Sequence, residues 1–176
     1  MMDWLDYILV RILRLLRKAR LSRLLIFGTS KAFLEYFKNF DTIKAVQEIF
    51  GEKTKTVLST LQVDITWFSG YMYVDNSTGH LVVSSRYLSN GNKVDIYLDL
   101  IHELYHVKQL MEGKELFDPR YSYVKRPTEI EAYSYTVQEA RRLGLSDKRI
   151  CEYLKTEWMS NEDLKSLAKA VNVKCE

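Results

Sequence analysis

Two of the chain's 3 histidines fall within the stretch IHELYHVKQ, Ile101 to Gln109. His102 and His106 stand four residues apart with Glu103 directly after the first. On a helix that spacing sets both imidazoles one turn apart on one face. Two such rings grip one metal ion, and the intervening glutamate reaches water bound to it. The chemistry such a set performs is metal-assisted hydrolysis. The surrounding residues Ile96, Tyr97, Leu98, Leu100, Ile101, Leu104, Val107 and Leu110 are apolar almost all round, which marks a buried helix. Two imidazoles and a carboxylate on a buried face are costly unless something satisfies them, and bound zinc would.

A catalytic zinc takes a third protein ligand and keeps one open position. His80 lies upstream in a turn and reads as a surface residue. Cys151 and Cys175 are remote and fit no metal spacing. Downstream, RPTEIEAYSY offers two carboxylates, Glu129 and Glu131. Glu129 shares its helix face with Ala132, Tyr133, Thr136, Val137 and Ala140, a side suited to the core. Glu131 shares a polar face, and with Thr128 as N-cap it supplies the acid of a capping box. Glu129 is therefore the favoured ligand and Glu131 the alternative. Tyr121 and Tyr123, between the two motifs, are candidate donors to a transition-state oxyanion.

The elements that must position these groups are mostly helical. Residues 3–25 read as a basic amphipathic helix, with Trp4, Leu5, Ile8, Leu9 and Ile12 on one stripe and Arg11, Arg14, Arg17 and Lys18 opposite. Such a helix docks on its own domain, on a second copy or on an anionic membrane. Asp3 and Asp6 stand where a signal peptide carries positive charge, so the segment is expected to be retained. After Gly28–Ser30 a backing helix is expected over residues 31–50, kinked near Asp41 and stopped by Gly51. Three short strands follow, over residues 62–68, 71–75 and 81–85, the last two forming a hairpin. The HExxH helix is expected over residues 93–112 and the glutamate helix over 128–143, with two capped helices to the end. The expected fold is α+β: a mostly helical domain with a three-stranded antiparallel sheet.

Composition supports one domain over residues 1–176. Its parts are the N-terminal helix (1–27), a core (28–144) and a C-terminal helical extension (145–176). With 47% hydrophobic residues the chain needs no staples to fold, and a net charge of +3 gives no reason to expect nucleic acid. No apolar run is long enough to span a bilayer. The cysteines read as reduced thiols, and the expected compartment is cytoplasmic.

HELYH followed by EIEAY resembles the gluzincin metallopeptidases. The short length resembles the minigluzincins, and HELYHVKQ with RPTEIEAY is similar to many small HExxH proteins. The resemblance spans about residues 31–143. It implies a zincin-like fold and peptide-bond hydrolysis by a zinc-activated water, with Glu103 as general base and a peptide or protein as substrate. It also implies an edge strand for extended substrate, a place that Leu81–Ser85 would fill. Where many gluzincins carry an aspartate that orients a ligand histidine, this chain has Tyr133; Asp99, one turn before His102, is a candidate replacement. A two-His, one-carboxylate set also suits iron, though Glu103 in the base position favours zinc. The alternative function is a zinc-binding regulatory or interaction protein, latent or weak in catalysis and peripheral at membranes.

Overall fold

A computed structural model of the protein describes residues 20–21, 30–67 and 70–175. A short strand β1 (Arg20–Leu21) is followed by β2 (Ser30–Ala32), α1 (Phe33–Tyr36) and β3 (Phe37–Lys38). A 3-10 turn (Phe40–Thr42) leads to α2 (Lys44–Phe50) and α3 (Thr54–Thr60). Then come β4 (Gln62–Thr66), β5 (Met72–Val74), β6 (Leu81–Ser84) and α4 (Ser85–Asn90). Four helices complete the chain: α5 (Lys93–Met111), α6 (Pro127–Arg142), α7 (Asp147–Leu154) and α8 (Asn161–Ala170). The fold is mixed α+β and mostly helical.

The backing helix expected over residues 31–50 is instead broken into pieces. Asn39 adopts φ 67°, a left-handed conformation no helix continues through, and the chain restarts at Lys44. Gly51 ends α2 with φ 58°, as its lack of a Cβ allows. The N-terminal amphipathic helix lies outside the described residues, except at Arg20 and Leu21. Those two pair antiparallel with Lys38 and Phe37, so they are strand rather than helix. Its membrane and self-association readings fall on residues outside that description.

Among the described residues the main sheet has four strands in the order β2-β4-β6-β5, and it is mixed rather than three-stranded antiparallel. β2 pairs antiparallel with β4, β4 pairs parallel with β6, and β6 pairs antiparallel with β5. The β5–β6 hairpin is the one the turn residues foretold. Asp75 Oδ1 accepts from the backbone N–H groups of Ser77 and Thr78, and Gly79 takes φ 71°. All four residues of β6 are buried, which suits a central strand and rules it out as the edge. Among the described residues the sheet's edges are β2 and β5; in β5, Met72 and Val74 are buried and Tyr73 is exposed.

Asn92 caps α5 by accepting from the N–H groups of Val94 and Asp95, and Gly113 follows its end at φ 77°. α5 packs along α6 and against α2 and β5. Buried Glu139 fastens α5 to α6: Tyr97 Oη donates to its Oε1 at 2.6 Å, and Arg142 Nε donates to its Oε2 at 2.6 Å. The capping box expected at Thr128 is not formed. Pro127 opens α6 with Arg126 at the N-cap, and Thr128 Oγ1 donates to the Leu116 carbonyl at 3.1 Å. Ser146 and Ser160 do cap the last two helices.

Cys151 and Cys175 are joined in a disulfide across 24 residues, which corrects their reading as reduced thiols. α8 turns the chain back, so the C-terminal tail returns along α7. The bond removes the premise on which a cytoplasmic compartment was expected. Among the described residues no helix is long and apolar enough to cross a membrane. Closing a loop of this length restricts the unfolded chain by about 3 kcal/mol. The Cys151→Ser/Cys175→Ser double variant should therefore melt roughly 10 °C lower. An unchanged melting temperature in calorimetry would show that the bond holds nothing the rest of the fold does not.

Candidate metal centre

α5 and α6 bring His102, His106 and Glu129 together, with each residue 5% exposed. Three donor atoms converge: His102 Nε2 lies 3.0 Å from His106 Nε2. Glu129 Oε2 lies 3.3 Å from the first and 3.5 Å from the second. Zinc bonds of about 2.0–2.1 Å at tetrahedral angles place neighbouring ligand atoms about 3.3 Å apart. The three edges fit that spacing. Glu129 Oε2 is also buried with no hydrogen-bond partner among the described residues, a need that a bound cation would meet. The donor set of two imidazoles and one carboxylate is one zinc accepts.

The two histidines depress the Glu129 carboxyl far below the usual range, although burial opposes them. Burial pulls the His102 imidazole down, whereas in His106 the Glu129 and Glu103 carboxylates outweigh burial and raise it to about 9. Glu103, 7% exposed, lines the same cleft. Burial pushes its carboxyl up to about 8; Glu129 and Asp99 add to the rise, and His106 and the Val74 N–H oppose it.

The cleft has a volume of about 410 Å³, enough for several side chains of a bound chain. One wall is β5 with Tyr71. The opposite wall comes from the C-terminal extension, through Tyr153, Thr156 and Trp158. The C-terminal extension therefore contributes directly to the cleft lining. Trp158 is 61% exposed, and its ring packs against that of Tyr71 with centroids 5.7 Å apart, joining the extension to the β5 side of the cleft.

Glu131 is not in the cluster. Its Oε2 accepts from Lys114 Nζ at 2.6 Å and from Gln109 Nε2 at 2.9 Å. His80 pairs with Asp64 Oδ2 at 2.9 Å on the sheet, with a third of its side chain exposed. Tyr121 is exposed and does not line the cleft, whereas Tyr123 does. The Tyr123 hydroxyl lies 2.8 Å from that of Tyr133. Two hydroxyls sharing one hydrogen bond leave one proton free to donate. Burial raises both phenols, so both keep their protons.

Asp99 does not orient His102. Its carboxylate accepts from Tyr87 and from Tyr153, at 2.5 and 2.9 Å, and fixes the cleft wall. His102 Nδ1 has no hydrogen-bond partner among the described residues, and its ring packs against Tyr133 at 4.3 Å. Sequence reasoning passed over Tyr133 as a donor and Gln109 altogether. The available signal for Gln109 was an amide one turn after His106 on an otherwise apolar helix.

In comparisons with known proteins, no family model, no curated protein and no solved structure matches the chain.

Proposed function

We propose that the protein is a zinc metallopeptidase of gluzincin type, acting on an extended peptide or protein segment. The observation that carries this reading is the convergence of His102, His106 and Glu129 on one point, with Glu103 beside it in an open cleft. His102, His106 and Glu129 would hold the ion. A bound zinc supplies Lewis acidity, polarising a substrate carbonyl and acidifying water.

The chain's own residues do the rest. Glu103 accepts a proton as the water oxygen bonds to the scissile carbonyl carbon. It returns that proton to the amide nitrogen as the C–N bond breaks, so an acid and an amine leave. The free hydroxyl proton of the Tyr123–Tyr133 pair donates to the developing oxyanion. β5, an edge strand among the described residues, offers that edge to an extended substrate, the place that the resemblance assigns to residues 81–85. Tyr153, Thr156 and Trp158 close the far side and limit water.

Digestion of a mixed peptide library by zinc-supplemented protein, read by mass spectrometry, tests this. New termini should appear with wild type and vanish with a chelator. Zinc binding without any cleavage would favour the non-catalytic regulatory reading.

A further inference from the structure

Gln109 is fully buried at one turn beyond His106. Its two amide ends are assigned by what they face. Nε2 lies 3.0 Å from the Thr128 carbonyl oxygen and 2.9 Å from Glu131 Oε2. The Thr128 carbonyl oxygen only accepts, and Glu131 Oε2 also takes the Lys114 ammonium at 2.6 Å, so it too stands as an acceptor. This end is therefore the NH2, and both its hydrogens are used. A flipped amide would set its oxygen against two acceptors.

The remaining end, Oε1, faces His106 Nδ1 at 2.7 Å. An amide oxygen only accepts, so Nδ1 carries the hydrogen. With Nδ1 keeping its hydrogen, Nε2 is the nitrogen whose proton a metal displaces to take the lone pair, and Nε2 is the atom that points into the cluster, 3.0 Å from His102 Nε2. We propose that Gln109 is the positioning residue of the metal centre, holding His106 in the tautomer and ring orientation that a metal requires.

This inference rests on the proposed metal centre and adds to it. A chain of contacts runs from Lys114 through Glu131 and Gln109 to His106, joining α5, the loop after it and α6. Glu131, the alternative ligand in the sequence, acts here two steps away from the metal. The chain also makes the two histidines unequal, because His102 Nδ1 lacks any such partner among the described residues. His106 is the ligand set in advance, and His102 depends on ring packing against Tyr133.

The test is zinc affinity of metal-free protein, measured by competition with a chromophoric chelator, for wild type, Gln109→Met and Glu131→Ala. Loss of an orienting partner typically weakens metal binding about 10–100-fold, and that rise in Kd is expected for Gln109→Met. A smaller rise is expected for Glu131→Ala, whose side chain is 43% exposed, so that its removal should leave the fold intact. In zinc-loaded wild type, nitrogen NMR should show a slowly exchanging proton on His106 Nδ1, lost in Gln109→Met. A purely structural role would lower the melting temperature and leave zinc Kd and this proton unchanged. Wild-type Kd in Gln109→Met overturns the positioning role alone. If that variant does not fold, wild-type Kd and proton exchange in Glu131→Ala overturn it. A wild-type protein that takes up no zinc overturns the metal centre itself.

Discussion

Glu103→Gln should retain zinc and the fold and lose peptide hydrolysis. The substitution is isosteric and removes only the ability to take and return a proton. General base catalysis by a positioned carboxylate is worth about 10²–10⁴-fold, so kcat should drop by that factor while zinc Kd stays at the wild-type value. Stability separates this from damage. Burial disfavours the Glu103 carboxylate in the folded state, so a neutral amide should leave the melting temperature unchanged or raise it. Full activity in a folded, zinc-loaded Glu103→Gln protein would remove Glu103 as the base.

Glu129→Ala should cost far more zinc affinity than Glu131→Ala, although the two residues stand two apart. Structural zinc sites bind with about 10–16 kcal/mol shared by four ligands, so one ligand is worth about 3 kcal/mol, or roughly 10²-fold in Kd. Glu129 Oε2 stands 3.3 and 3.5 Å from the two imidazole nitrogens. Glu131 reaches only Gln109 and Lys114, so its loss should act through His106 and remain small. Isothermal titration of the two variants in parallel reads the difference. Equal losses, or the greater loss at Glu131, would mean that the ligand assignment is reversed.

The centre was legible where local rules suffice. The spacing of His102 and His106 is a property of one helix, and the range expected for it, residues 93–112, lies within one residue of the observed Lys93–Met111. Glu129 could be chosen over Glu131 because a helix face is periodic. The reasoning weakened where partners lie far apart in sequence. Nothing local foretold the parallel pairing of β4 with β6, because the β5–β6 hairpin inserts β5 outside it. The break at Asn39 sits in a stretch whose apolar spacing suits a helix, and one left-handed residue overrides it. Cys151 meets Cys175 only because α8 turns the chain back. The Thr128 hydroxyl prefers the Leu116 carbonyl to its own helix end, so the capping box dissolved and Glu131 was free for Gln109.

The most direct test of the metal centre is elemental analysis of protein purified without added metal, beside its His102→Ala variant. The account predicts about one equivalent of zinc per chain in wild type and none in the variant. A wild-type protein that carries no metal and takes up none from added zinc would contradict it, leaving His102, His106 and Glu129 as a buried structural cluster.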